Sequence, residues 1–89
     1  MLLQQVEIIN ELGLHARAAA KFVACSSRFE SSMTVRKGGK EVDGKSIMSI
    51  MMLAASIGSV LEIQVEGPDE QEAMDAILTL IADRFDEES

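Results

Sequence analysis

The single histidine of the chain, His15, stands in the segment Gly13-Leu14-His15-Ala16-Arg17-Ala18-Ala19-Ala20-Lys21, at the head of an alanine-rich run with high helix propensity. A helix start ordinarily carries Ser, Thr, Asp or Asn, and none of these lies between Glu11 and Lys21. With His15 as the N-cap, the backbone N–H groups of Ala16, Arg17 and Ala18 have no intrahelical acceptor, and the positive end of the helix dipole adds to them. An anion is the matching partner, and Arg17 brings a guanidinium fork suited to phosphoryl oxygens. The same field favours neutral imidazole, the form a nucleophile requires. A neutral imidazole beside an anion site describes a phosphoryl acceptor, with His15 and Arg17 at its centre and the N–H groups of Ala16, Arg17 and Ala18 as phosphate donors. Two plainer readings stay open. His15 could be a surface cap with Arg17 a solvated charge, or it could serve in general acid–base catalysis, for which the local sequence supplies neither a second histidine nor a carboxylate to orient the ring.

A second candidate for phosphate chemistry is Gly39-Lys40-Glu41-Val42-Asp43-Gly44-Lys45-Ser46, which matches the nucleotide-binding pattern G-x-x-x-x-G-K-[ST] at each fixed position. That loop works by exposing glycine N–H groups to phosphates between a buried parallel strand and a helix. Here the variable positions make a strand-like segment carrying two carboxylates, which would repel a triphosphate. The nucleotide-loop reading is therefore set aside. Ser46 reads instead as the N-cap of a helix, its hydroxyl accepting an orphan N–H of the first turn.

The elements that must position these residues follow from apolar periodicity. Val6 and Ile8 in Gln4-Gln5-Val6-Glu7-Ile8-Ile9-Asn10 share one face of a first strand. The helix from Ala16 to about Ser27 follows, with Ala16, Ala19, Ala20 and Val23 spaced to share broad faces. Met33 and Val35 then alternate with polar residues, and Gly38-Gly39 predicts the turn of a β-hairpin that returns through Lys40–Val42. A short helix runs from Ile47 towards Gly58. Leu61, Ile63 and Val65 alternate with Glu62, Gln64 and Glu66 in a fourth strand. After Gly67-Pro68, Asp69 with Glu72 three residues on predicts a capping box, heading a helix whose buried stripe is Ala73, Ile77, Leu80 and Ile81. The order β-α-β-β-α-β-α predicts a two-layer α+β sandwich, helices covering one face of a mostly antiparallel sheet.

Eighty-nine residues, 47% of them hydrophobic, suit one domain over residues 1–89. The net charge of −7 is uneven, because ten of the fifteen acidic residues lie beyond Leu61. Acidic charge, three Phe and no Tyr or Trp argue against nucleic acid, which needs a basic face and stacking platforms. The apolar runs are too short for a membrane span, and the N-terminal residues lack the pattern of a signal peptide, so a cytoplasmic location is expected without membrane insertion. Cys25 is the one cysteine, expected to pack, and no metal-ligand set or cofactor motif is present in the sequence. The acidic residues 83–89 read as a solvated, fraying tail.

The second helix carries Ile47, Met48, Ile50, Met51, Met52 and Leu53 with Ser49 as the sole polar interruption. A helix lying on a sheet buries a stripe of roughly 100°, so some of these must be exposed. Ile47, Met48 and Met51, beside the small Ala16, Ala19 and Ala20, are candidates for a docking patch, with core filling by Met as the alternative.

Two segments, Gly13-Leu14-His15-Ala16-Arg17-Ala18-Ala19-Ala20-Lys21-Phe22 and Gly44-Lys45-Ser46-Ile47-Met48-Ser49-Ile50-Met51, with the element order around them, resemble the HPr family. These are the histidine-containing phosphocarriers of the bacterial phosphoenolpyruvate:sugar phosphotransferase system. The resemblance implies an open-faced β-sandwich with a four-stranded antiparallel sheet and three helices on one face. It implies that His15, assisted by Arg17, accepts a phosphoryl group from phosphorylated enzyme I and passes it to enzyme IIA domains. It further implies phosphorylation of Ser46 by an ATP-dependent HPr kinase/phosphorylase. The family commonly has proline where this chain has Ala18, which here leaves an extra N–H at the helix start. A regulatory interaction module and a nitrogen-type paralogue of the carrier are the alternatives. A carrier that visits several partners by one face is expected to be monomeric.

Overall fold

The structure is a computed structural model describing residues 1–89. It contains β1 (Leu2–Glu7), α1 (Ala16–Ser26), β2 (Ser32–Lys37), β3 (Lys40–Asp43), α2 (Ile47–Met52), β4 (Val60–Glu66) and α3 (Glu70–Ala82). The strands form one antiparallel sheet in the order β1-β4-β2-β3, so the fold is the predicted open-faced α+β sandwich. Register explains which face is covered. Val65 stands opposite both Leu2 and Met33, and Ile63 opposite Val35, which brings the apolar alternates of three strands onto one surface. Phe22 of α1, Ile50 of α2, and Ile77 and Ile81 of α3 are buried with Leu61, Ile63 and Val65 in a single core. The opposite face is polar, and Arg36 there donates to Glu41, Glu62 and Gln64.

The buried face of α1 is Ala18, Ala19, Phe22, Cys25 and Ser26, which leaves Ala16 and Ala20 facing outwards. Burial holds the Cys25 thiol above its ordinary range, so it packs as a small apolar group. Gly38 and Gly39 turn the β2–β3 hairpin as expected, Gly38 with φ 60°. No helix is long and apolar enough to cross a membrane.

Two expectations are corrected. First, α2 stops at Met52 instead of continuing towards Gly58, because Leu53 and Ala55 turn inwards to the core while Ala54 adopts a left-handed conformation at φ 52°. The carbonyls at the end of α2 and just beyond it receive ammonium groups from the hairpin: Lys40 Nζ donates to Met52 O, and Lys37 Nζ to Leu53 O and Ala54 O. Second, Asp69 makes no capping bond to α3. Its carboxylate accepts from the Ser31 hydroxyl and from the N–H groups of Glu30 and Ser31, which lower its pKa and clamp the α1–β2 loop. Glu70 closes the turn by accepting from Gly67 N–H, and Met74 takes a buried place in α3 while Leu80 is only half-buried. The segment that follows α3 also packs against the domain. A left-handed turn at Arg84, Phe85 and Asp86, with φ values of 54°, 55° and 62°, drives the Phe85 ring into the core. Lys21 Nζ donates to Phe85 O at 2.7 Å and fixes the turn against α1.

Candidate functional site

His15 is delivered to the surface by a short, tightly packed loop. Gly13 has φ 67° and lies so close to the chain after α2 that a Cβ would come within 2.4 Å of Ala55 O, which glycine alone accommodates. Leu14 N–H donates to the same Ala55 O at 2.8 Å, tying the entry of α1 to the exit of α2. His15 then takes an extended conformation, φ −71° and ψ 176°, and its carbonyl accepts the first helical bond, from Ala19 N–H. This is the N-cap position the sequence predicted.

The ring is held from both sides. Its Nδ1 accepts from Arg17 N–H at 3.3 Å, and its Nε2 lies 2.5 Å from Glu87 Oε2. A backbone N–H can only donate, so Nδ1 carries the lone pair and the neutral ring carries its proton on Nε2, where it is donated to the carboxylate. The carboxylate that the local sequence lacked is thus supplied from 72 residues away. Arg17 N–H, expected to await an anion, is occupied by the imidazole itself, and Ala16 and Ala18 keep N–H groups with no backbone acceptor.

Glu87 is fixed in turn. Its other oxygen accepts from Asn10 Nδ2 at 3.1 Å, and Asn10, almost wholly buried, also donates to Gly13 O at 2.8 Å. Burial pushes the Glu87 carboxyl up, but hydrogen bonds from Asn10 and His15 and the nearby Arg17 charge outweigh it and hold the group below the ordinary glutamate value. The side chain of Glu87 is 9% exposed against 26% for His15, so the carboxylate lies beneath and the imidazole above it. Arg17 and Lys21 stand at the rim of an adjacent depression of about 300 Å³ bounded by Asp86 to Ser89. Neither Glu87 nor Asn10 was predicted. The available signal was Phe85, an aromatic residue set among seven tail positions of which five are charged.

Among the other predicted residues, Ala16 and Ala20 are exposed, as are Ile47, Met48 and Met51, while Ala19 is completely buried and cannot belong to a docking surface. Ala18 is also enclosed, so an anion reaches its N–H only if neighbouring groups move. Ser46 caps α2, its Oγ accepting from Ser49 N–H at 3.3 Å. The nucleotide-loop match dissolves in three dimensions. Gly39 sits in the hairpin turn, Lys40–Asp43 is β3, and Lys45 Nζ is turned away to Phe29 O at 2.7 Å.

Fold and site together define a small open-faced α+β sandwich that presents one oriented imidazole at its surface. The chain matches the family described as the PTS HPr component phosphorylation site over residues 3–83. It is 55% identical over 87 residues to the phosphocarrier protein HPr of Cupriavidus necator, covering 98% of each chain. The structure of HPr-C-His from Thermoanaerobacter tengcongensis superposes with a TM-score of 0.96 at 47% identity over 100% of both chains. An HPr dimer from the same organism gives 0.79 at 49% identity, covering 92% of this chain and 94% of that one. The chain belongs to the HPr family, the phosphocarriers of the phosphotransferase system.

Proposed function

We propose that the protein carries phosphoryl groups on His15 Nδ1, receiving them from phosphorylated enzyme I and delivering them to enzyme IIA domains. The observation that carries this reading is the pair of hydrogen bonds on the imidazole: Nε2 is committed to Glu87, and Nδ1 keeps its lone pair at the start of α1. In the receiving step that lone pair forms a bond to phosphorus as the donor's P–N bond breaks, its electron pair returning to the donor nitrogen. The new phosphoryl oxygens lie at the N-terminus of α1, where they take over the Arg17 N–H and meet the positive helix end. The Arg17 guanidinium balances charge on the transferring group. Delivery is the reverse, with an acceptor nucleophile in place of the donor.

Exposed Ile47, Met48 and Met51, with Ala16 and Ala20, form the docking face in this reading, and the protein acts as a cytoplasmic monomer. Ser46 is the regulatory position, modified by an HPr kinase/phosphorylase. A phosphate there would add negative charge beside the apolar docking residues at the head of α2.

The test is intact-mass measurement after incubation with enzyme I and phosphoenolpyruvate. Wild type gains one phosphoryl mass that disappears on brief acid treatment, and His15→Ala gains none. An unmodified wild type beside a competent enzyme I would leave the regulatory-module alternative in possession.

A further inference from the structure

We propose that Glu87 is a positioning residue for phosphoryl transfer: the C-terminal turn holds its carboxylate on His15 Nε2 to balance the charge that the ring acquires when Nδ1 bonds to phosphorus. This deepens the phosphocarrier reading and rests on it. When neutral imidazole attacks through Nδ1, the N–P bond forms with the ring's own electron pair, and the ring, still bearing its Nε2 proton, becomes cationic. A carboxylate 2.5 Å from Nε2 lowers the energy of that cation by accepting a charge-assisted hydrogen bond from the Nε2 proton, which stays on the ring. By microscopic reversibility the Nε2 proton is in place for delivery, so that the ring departs from phosphorus as neutral imidazole.

Four features mark the carboxylate as built in place. Glu87 is more deeply buried than the ring it serves, and its second oxygen accepts from Asn10 Nδ2, so both carboxylate oxygens are engaged. Asn10 is itself nearly inaccessible and anchored to Gly13 O, two residues before His15. Its orientation is dictated, since only the amide NH₂ can face both a carbonyl and a carboxylate, and this leaves Asn10 Oδ1 buried without a partner. Finally, three consecutive non-glycine residues accept left-handed backbone in order to bring the segment here. The unpartnered Oδ1 and the left-handed turn both oppose stability, and both serve to aim Glu87.

The test uses a small phosphoryl donor, phosphoramidate, so that no partner protein enters the measurement. In the reaction its P–N bond breaks, ammonia leaves, and phosphorus bonds to Nδ1. Wild type, Glu87→Ala, Glu87→Gln and Glu87→Asp are compared for rate of phosphohistidine formation and for the Nε2–H proton resonance. The proposal expects a slow-exchanging, downfield Nε2–H resonance in wild type that is absent in Glu87→Ala. It expects rates lowered about tenfold or more in Glu87→Ala and Glu87→Gln, the size of one charge-assisted hydrogen bond. Partial rescue by Glu87→Asp would show that charge, and not packing, is responsible. Rates within twofold of wild type in both the Ala and Gln variants, or an Nε2–H resonance that survives Glu87→Ala, would overturn it. Wild type that reacts with phosphoramidate but not with enzyme I would instead refute the partner assignment and leave this inference standing.

Discussion

In the proposed carrier role, a hydrogen bond to each ring nitrogen decides which nitrogen of His15 bonds to phosphorus. With Nε2–H donated to Glu87 and Nδ1 facing the head of α1, the ring's lone pair and the positive helix end are on the same side of the ring. The carboxylate's own titration offers a direct check. The groups facing it are His15, Asn10 and Arg17, all of which favour its ionised form over the opposing effect of burial, so its pKa is lower in the folded protein than in the unfolded chain. On acidification the unfolded state therefore binds the proton first. The contact contributes its full stability above the ordinary glutamate range and loses it as pH falls through the depressed folded value. Urea unfolding of wild type and Glu87→Gln should show a wild-type advantage at neutral pH that shrinks to nothing in acid. An advantage that grows on acidification would contradict the assignment. Half of this site was legible in the sequence: a histidine at an uncapped helix start and an arginine two residues on are local features. Glu87 was not, because nothing in a run of tail acids distinguishes one that folds back across the molecule.

At the scale of elements, α2 shows why helix starts are easier to read than helix ends. Its start is set by a side chain, Ser46, whose hydroxyl accepts from Ser49 N–H. Its end is set by tertiary contacts: Leu53 and Ala55 turning inwards, and two lysines arriving from another hairpin. The strands were legible for a similar reason, since period-two alternation depends only on neighbouring residues, whereas the Asp69 capping box failed because a distant loop offered that carboxylate better donors. The Ser46 cap yields a prediction that separates fold from regulation. Aspartate is as good an N-cap as serine, so Ser46→Asp should change folding stability by no more than about 0.5 kcal/mol. It should nonetheless slow phosphoryl transfer from enzyme I, because the added charge lies beside exposed Ile47 and Met48. Chemical denaturation and transfer rates measured on the same sample decide it, and equal rates for the two proteins would remove Ser46 from the docking region.

Over the whole molecule, the C-terminal turn is where folding and the proposed phosphoryl chemistry are most directly joined. Asn10 lies at the exit of β1, His15 at the start of α1 and Glu87 beyond α3, so three separate stretches of chain converge on one imidazole. Phe85 is the pin that makes this convergence possible. Its ring is fully buried in the common core, its carbonyl is held by Lys21, and Glu87 follows two residues later. Removing that ring leaves a cavity and should cost about 3–5 kcal/mol. For a chain of this size, whose total stability is expected to be about 4–13 kcal/mol, that is a large share. A domain of this length loses about 4–8 °C of Tm per kcal/mol, so Phe85→Ala should melt at least about 12 °C below wild type. The same variant, studied below its own melting point, should lose the downfield Nε2–H resonance of His15, since the left-handed turn has no reason to persist once its anchor is gone. Glu87→Gln should lose little stability at neutral pH by comparison, because the buried ring remains. If Phe85→Ala melted close to wild type and kept the His15 resonance, the hydrogen bonds of Asn10 and Lys21 alone would be sufficient to hold the tail, and the aromatic anchor would not be what positions the carboxylate.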